Sequence, residues 1–306
     1  MNPVQKKSRR RGLILIVGLS IILTGGYLGL SAYMAATLSQ TEREAIVTSP
    51  KDYHLNFESA TFPSAEDHLQ LKGWFIPAPS KRMLIFVHGK GHHRDASDIQ
   101  SLSLAARLNK MGFNILMFDL RGYGESQGER FSLGFYEPRD VRGAVDYAMA
   151  RGFAPDDIGV IGWSMGAATA LISTARDTRI AAVVADSGYA DLAELLSAEV
   201  PKRSGLPPIF TPGILLMAKA MYGIDVSDIR PIDAIKRIAP RHILIIHTAQ
   251  DPLIPVKNAF RLYAALPDKM KNYLWVVPGT AHVSAYKDYQ VEYARRIDQF
   301  FSTELK

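Results

Sequence analysis

The 306-residue chain contains no cysteine. This absence excludes disulfides, thiolate catalysis, zinc ribbons and iron–sulfur clusters, and a fold outside the cytoplasm would have to be held together by packing alone. Charged residues make up only 22% of the chain and hydrophobic residues 47%. That balance is typical of a globular protein with a sizeable core and excludes a mostly disordered chain. The length suits one large α/β domain or two small ones.

The body of the chain also lacks an excess of positive charge, although the net charge is +6. Five of the 36 Lys and Arg residues lie within residues 1–12, which contain no acid. Without those five, 31 basic residues stand against 30 acidic ones. A broad basic face for nucleic acid is therefore not expected, and we predict no nucleic-acid partner.

Residues 13–38 form a run of 26 residues without a charge. At about 1.5 Å per residue, a helix of this length crosses a hydrocarbon core of roughly 30 Å with some tilt. The basic cluster before it should stay in the cytoplasm, which sends the body across the membrane. A cleavable signal peptide is the alternative, but Met34-Ala35-Ala36 matches the small-x-small cleavage site poorly.

Four segments follow from this reading. We predict a basic cytoplasmic tail at 1–12, a single-pass transmembrane anchor at 13–38, a polar linker at 39–52 and a folded extracytoplasmic body at 53–306. The predicted location is the cell membrane, with the N-terminus cytoplasmic.

The body alternates short apolar runs with helical stretches. An antiparallel pair at the start, followed by strands separated by helices, predicts a mostly parallel sheet with helices on both faces. Residues 188–238 read as a long irregular insertion. Strands are predicted at 53–62, 68–77, 82–88, 114–119, 157–163, 180–186, 242–248 and 273–277, and helices at about 97–112, 138–151, 165–176, 256–267 and 285–303.

The first chemical signal is the sequence GWSMG at 162–166, directly after an apolar strand and before an alanine-rich helix. A sharp strand-to-helix turn would lift the Ser164 hydroxyl out of the sheet, and the two glycines would remove side chains that collide with neighbouring segments. The helix N-terminus adds partial positive charge where an oxyanion would form. This context favours a nucleophilic serine over a mere tight turn.

With this motif the chain resembles the α/β-hydrolase superfamily over roughly residues 53–304, and most of all the membrane-anchored serine hydrolases that are dienelactone-hydrolase-like or monoacylglycerol-lipase-like. The motifs stand in that superfamily's order: oxyanion loop, nucleophile, acid, histidine. The resemblance implies an α/β-hydrolase fold with a short cap insertion, here at about 188–238, and no cofactor.

The resemblance also implies an oxyanion hole. The loop HGKGHH at 88–93 follows a strand as the H-G-x-G loop does, so the backbone N–H of Lys90 and that of Met165 would hold the oxyanion. His88 more plausibly braces this loop than does chemistry. His88, His92 and His93 could suggest a metal, but Asp95 is the only carboxylate at ligand spacing, so we predict no metal.

Two further strand ends complete the site that the resemblance implies. Asp251 follows strand 242–248, on the loop that carries the triad acid in this fold, although an aspartate before Pro252 also suits a simple turn. Asp186 ends the preceding strand and stays the alternative acid. His282 follows strand 273–277, where it could serve as general base to Ser164. Asp119 and Arg121, after strand 114–119, are expected to bond the backbone.

These observations predict a serine hydrolase that cleaves carboxylic esters, either small molecules or lipids, through Ser164, His282 and Asp251 and an acyl-enzyme. The same triad would serve an amidase, a peptidase or a thioesterase. From a different class, a non-catalytic receptor or scaffold with this fold is the other alternative. Within the insertion, residues 207–217 are rich in proline and large apolar side chains, and either pack on the core or form an apolar acyl-binding lid.

Overall fold

The computed structural model describes residues 3–267 and 273–306. Residues 1–2 of the predicted tail and 268–272 of the predicted body lie outside the described residues. The strands are β1 Glu58–Pro63, β2 Gln70–Ile76, β3 Met83–Val87, β4 Asn114–Phe118, β5 Ile158–Trp163, β6 Ala182–Asp186, β7 Ile243–Thr248 and β8 Leu274–Val277. The helices are α1 Pro3–Ser39, α2 Ser101–Lys110, α3 Glu137–Ala150, α4 Met165–Arg176, α5 Leu192–Ser204, α6 Thr211–Tyr222, α7 Pro231–Ala234, α8 Lys257–Ala265, α9 Ala285–Asp288 and α10 Gln290–Glu304. Short 3-10 turns lie at Pro50–Tyr53, Ser97–Ile99, Pro155–Asp157, Pro208–Phe210, Val226–Asp228 and Ile235–Arg237.

The eight strands form one sheet in the order β1-β2-β4-β3-β5-β6-β7-β8. β2 is antiparallel to both β1 and β4, and the remaining neighbours are parallel. β4 lies on one side of β3 in the sheet, and β5 lies on the opposite side of β3. The predicted mostly parallel α/β sheet is confirmed, and the carboxyl ends of β5, β6, β7 and β8 open at one edge, where ligand sites of such sheets collect.

The central strands are buried on both faces, which explains why they read as continuous apolar runs rather than as alternating ones. All five residues of β3 are buried. Ile85 and Val87 join a core cluster with residues of α3, α4 and α8, while Leu84 and Phe86 join a second cluster with residues of α2 and α10. Successive side chains therefore serve the two layers of helices in turn.

Two predicted elements differ from the structure. The insertion 188–238 is not irregular, because it contains α5, α6 and α7. The predicted helix 285–303 is broken into α9 and α10 at Tyr289, whose backbone leaves the helical region (φ −131°, ψ 46°). The Tyr289 ring lies edge-on to Trp275 of β8, with ring centroids 6.4 Å apart.

The chain forms two compact units. The larger contains Gln40–Leu195 and Ser227–Lys306 and holds the whole sheet. Residues 41–49 have no regular structure but are hydrogen-bonded within this unit. The Thr41 N–H donates to the Glu129 carbonyl (3.1 Å), and the Arg43 guanidinium donates to the carbonyls of Gly124 (2.7 Å) and Gly128 (2.8 Å).

The smaller unit joins the chain up to Ser39 with Leu196–Val226. Within it, α1 packs along α6. The part Gly12–Ser39 of α1 is long and apolar enough to cross a membrane and lies near the N-terminus. It is compatible with a single-pass anchor or with a signal sequence.

Candidate active site

Ser164 occupies the turn between β5 and α4 with an unusual backbone conformation (φ 55°, ψ −118°). A positive φ is costly for a residue with a side chain and persists only where the surroundings impose it. Here the surroundings include two glycines, Gly162 and Gly166, at which neighbouring segments pack closely. A Cβ on Gly162 would lie 2.1 Å from the Gly166 oxygen, and one on Gly166 would lie 2.0 Å from the Val87 oxygen of β3. Only glycine fits at either position, so strand, turn and helix close up tightly around Ser164.

The three residues predicted as a triad lie within hydrogen-bonding distance of one another. Ser164 Oγ is 2.7 Å from His282 Nε2, and His282 Nδ1 is 2.6 Å from Asp251 Oδ2. Three loops that are far apart in the sequence bring them together, after β5, β7 and β8. A carboxylate on Nδ1 fixes the imidazole with its Nε2 lone pair toward the hydroxyl, so this arrangement can remove the Ser164 proton.

The second oxygen of Asp251 is held by the backbone. Oδ1 accepts hydrogen bonds from the N–H groups of Leu253 and Ile254, each at 2.9 Å. Burial alone would raise the pKa of Asp251, but the hydrogen bond and charge of His282 and these two amides outweigh it and hold the pKa below its usual range. Asp251 is therefore an oriented, ionised acceptor.

Asp186, the alternative acid, has other partners. Its Oδ1 accepts from the Ser187 hydroxyl (2.9 Å) and its Oδ2 from the Tyr293 hydroxyl (3.0 Å), which in turn accepts from Trp163 Nε1 (3.1 Å). Burial raises the pKa of Asp186 to about 7, against the opposing effect of the two hydroxyl bonds. The imidazole of His282 bonds Asp251 instead.

His88 is bonded on both ring nitrogens. Nδ1 donates to the Gly89 carbonyl (2.8 Å), and Nε2 accepts from the Leu120 N–H (2.9 Å). Burial lowers the pKa of His88 to about 4, so the ring is neutral near pH 7. A neutral ring that joins the loop after β3 to the loop after β4 braces both.

Of the two predicted oxyanion residues, Met165 adjoins Ser164 in the sequence, and Lys90 adjoins a glycine that lies close to Ser164. Met165 is the first residue of α4, directly after Ser164. Lys90 follows Gly89, at which an added Cβ would lie 3.3 Å from the Ser164 Cβ. The Lys90 ammonium lies over the Phe131 ring, 4.6 Å from its centroid. The main chain at Gly89 thus lies close to the Ser164 side chain.

The neighbouring histidines have separate partners. His92 Nε2 lies 3.2 Å from an oxygen of Asp98, and His93 Nδ1 accepts from the Asp95 N–H at 3.2 Å. Over residues 3–267 and 273–306, no group of three or more His, Asp or Glu side chains is placed to hold a metal ion.

A buried ion pair that the sequence did not indicate supports the loop carrying Lys90. Arg94 Nη2 lies 2.6 Å from Asp119 Oδ2, and the Arg94 N–H donates to Asp119 Oδ1 at 2.7 Å. Asp119 thus bonds backbone as expected, and the guanidinium as well. Arg121 differs from expectation, because its side chain pairs with Asp140 (2.7 Å) and Asp67 (2.7 Å). No short-range motif marks Arg94, since its partner lies 25 residues away.

This sheet, with a serine at the turn after β5, is that of an α/β hydrolase. Residues 100–306 match the model of the prolyl oligopeptidase family. The chain belongs to that family, and the predicted superfamily is confirmed. It is a serine hydrolase of the α/β fold.

The chain is also similar to curated bacterial proteins and to solved structures. The protein YfhR of Escherichia coli K12 is 27% identical over 238 residues, which cover 76% of this chain and 75% of YfhR. YqkD of Bacillus subtilis is 26% identical over 274 residues, covering 85% and 87%. The esterase Pf2001 of Pyrococcus furiosus superposes with a TM-score of 0.72 at 25% identity, covering 88% of this chain and 98% of the esterase. The acylaminoacyl peptidase of Pyrococcus horikoshii shares the fold with a TM-score of 0.61 at 15% identity, over 85% of this chain and 44% of the peptidase.

Proposed function

We propose that the protein hydrolyses carboxylic esters through Ser164, His282 and Asp251. The observation that carries this proposal is the continuous hydrogen-bonded chain, 2.7 Å from Ser164 Oγ to His282 Nε2 and 2.6 Å from His282 Nδ1 to Asp251 Oδ2. A serine hydroxyl is a weak nucleophile by itself and needs a base at this distance. The esterase named in the Pf2001 structure supports an ester as substrate.

The reaction has two halves. Ser164 Oγ attacks the ester carbonyl while its proton passes to His282 Nε2, and the N–H groups of Lys90 and Met165 receive the oxyanion. The tetrahedral intermediate expels the alkoxide, which takes the proton from His282 and leaves as an alcohol. Water then gives a proton to His282, attacks the acyl-enzyme, and the second intermediate releases the carboxylic acid and returns the proton to Ser164.

The ionised Asp251 has a defined part in this scheme. It accepts the Nδ1–H of His282 and stabilises the imidazolium that forms in each half. The steps as proposed need only these side chains, the two backbone amides and water.

We further propose that α1 anchors the protein in the cell membrane as a single span. The basic tail before Gly12 would stay cytoplasmic, which would place the hydrolase body outside the cytoplasm. The proposed substrates are small-molecule or lipid esters, and no nucleic acid is proposed as partner.

A peptidase or amidase is the second candidate. The family match and the peptidase named in the Pyrococcus horikoshii structure favour it, because an amide needs the same nucleophile and base. Thioester cleavage, or a receptor that has the triad but does not turn over, would use the same fold.

The test uses the full chain in detergent micelles. A fluorophosphonate probe should label wild type and not Ser164→Ala, and equal labelling of the two would reject this nucleophile. Esters of graded acyl length and matching p-nitroanilides then separate the candidates. Ester turnover with negligible anilide turnover supports the ester hydrolase. Anilide turnover with negligible ester turnover supports the peptidase or amidase. If the protein neither turns over these substrates nor reacts with the probe, the receptor is the remaining candidate.

A further inference from the structure

The insertion is attached to the apolar helix α1 by an aromatic contact. The rings of Tyr27 and Phe210 are stacked, with centroids 5.1 Å apart and planes 27° from parallel. The Tyr27 hydroxyl donates to the Ile209 carbonyl at 2.9 Å. The 3-10 turn Pro208–Phe210 therefore lies at the level of Tyr27 along α1.

The contact continues along both helices. A Cβ on Gly213 would lie 2.5 Å from Ser31 Oγ and 2.6 Å from the Tyr27 hydroxyl, so α6 approaches α1 as closely as a glycine allows. Further along, Ala35 and Ile214 are buried in one small cluster. Small residues at a close helix crossing are the means by which helices associate within lipid.

The depth of this contact follows from the helix rise. The last basic residue of the tail is Arg11. About 20 helical residues cross the hydrocarbon core, so its far boundary falls near residue 32. Tyr33, two-thirds exposed, stands where an interfacial aromatic is expected. Tyr27 lies five residues before this boundary, roughly 7 Å inside the core, and its hydroxyl has a partner there.

The insertion also exposes apolar side chains next to this contact. Ile209 is 71% exposed and Leu216 is 56% exposed. Residues 204–218 contain no charged side chain. Exposed apolar side chains on a segment without charge are typical of a surface that contacts protein or membrane.

We propose that residues 207–216 insert into the distal leaflet beside α1, so that the protein contacts lipid through two segments. The occupant of the exposed surface is the acyl chains of that leaflet, because this surface is continuous with the helix that spans them. The inference rests on the proposed membrane location of α1 and is independent of the hydrolytic activity.

The absence of cysteine makes a clean test possible. Single variants Ile209→Cys, Leu23→Cys and Lys202→Cys of the full chain are labelled with the fluorophore NBD and reconstituted into phosphatidylcholine–phosphatidylglycerol vesicles. Leu23 is 64% exposed and lies just past the middle of α1, and Lys202 belongs to the same insertion but has a charged side chain that is 67% exposed. The label at 209 should be quenched by doxyl-labelled lipids to within twofold of the label at 23, whereas the label at 202 should be quenched by aqueous iodide.

Each other result is decisive. Without lipid quenching at 23, the anchor proposal fails and takes this inference with it. If lipids quench the label at 23 but iodide quenches the label at 209, the anchor proposal is supported. The proposal that residues 207–216 insert into the membrane is then wrong. Protection at 209 from both quenchers, with oxidative cross-linking between two copies of the unlabelled Ile209→Cys variant, would assign the surface to a second copy of the chain and also overturn it. All three substituted side chains are exposed, and thermal unfolding like that of wild type shows that each variant folds.

Discussion

Replacing Asp251 with asparagine tests how the acid is held. Its Oδ1 accepts two backbone N–H groups, and its Oδ2 accepts His282 Nδ1. Asparagine has only one oxygen for these two tasks. If that oxygen stays with the two amides, the amide NH₂ faces Nδ1 and forces the proton of His282 onto Nε2, which then cannot accept the Ser164 proton.

The size of the effect follows from the two orientations. The wrong imidazole tautomer costs about 10⁴ in kcat, or about 5 kcal/mol of barrier. If the asparagine side chain turns round instead, its NH₂ group faces the two backbone N–H groups, which lose their acceptor. Losing each of these two hydrogen bonds costs roughly 1–3 kcal/mol. The fraction of molecules with this catalytically competent orientation is then between about 1/30 and 10⁻⁴. We therefore expect kcat/KM to fall by about 10³ for Asp251→Asn.

The assay is p-nitrophenyl butyrate hydrolysis, with thermal unfolding to show that the variant is folded. Asp186→Asn is the matched control, because that side chain bonds hydroxyls, which can either donate or accept. It should keep more than a tenth of the activity. A loss below tenfold for Asp251→Asn, or a larger loss for Asp186→Asn, would refute the assignment of the acid.

Three further predictions concern stability. Gly166→Ala should lower the free energy of unfolding by about 3–5 kcal/mol, and Tm by about 10 °C, because its Cβ would overlap the Val87 oxygen. Burial raises the pKa of Asp186 to about 7, so the folded state keeps a proton that the unfolded state loses near pH 4. The free energy of unfolding should therefore fall as the pH rises from 4 to 7. Denaturant titrations of Asp186→Asn should show no such fall. Arg94→Ala leaves the Asp119 carboxylate buried without its cation and should cost about 3–5 kcal/mol in urea unfolding.

Matched controls come from the surface. Gly152→Ala places alanine at a positive φ (93°), which Gly166→Ala does not, but no atom lies within 4 Å of the new Cβ, and the substitution should cost only about 1–2 kcal/mol. Arg295→Ala removes an exposed pair with Glu292 and should leave the urea unfolding midpoint close to that of wild type. Equal losses in variant and control would contradict the packing argument for Gly166 and the charge argument for Arg94. An unchanged pH dependence of stability in Asp186→Asn would contradict the prediction for Asp186.

The sheet and the candidate triad could be predicted from sequence because both have local signatures. Buried strands such as β3 and β5 are short apolar runs, and each proposed catalytic residue comes shortly after a strand. Parallel strands bring their carboxyl ends to one edge, so local order in the sequence becomes proximity in space. The preference for Asp251 over Asp186 came from the resemblance, and the 2.6 Å contact between Asp251 Oδ2 and His282 Nδ1 supports it.

The insertion escaped prediction because its prolines suggest breaks. Pro212 is the second residue of α6 and Pro208 the first of its 3-10 turn, positions where a missing N–H costs nothing. Pro201 lies within α5 and does not end it. The ion pair between Arg94 and Asp119 could not be predicted for another reason. An ion pair between two separate loops leaves no repeating pattern in the sequence.

The contacts at Gly162 and Gly166 have a consequence for how such a protein diversifies. The three atoms nearest to a Cβ added at either glycine belong to the main chain, so a rotamer change elsewhere cannot relieve these overlaps. The position of the Ser164 oxygen is consequently insulated from the side chains that surround it. Substitutions of those side chains could therefore change which substrate fits, one residue at a time, without moving the proposed nucleophile.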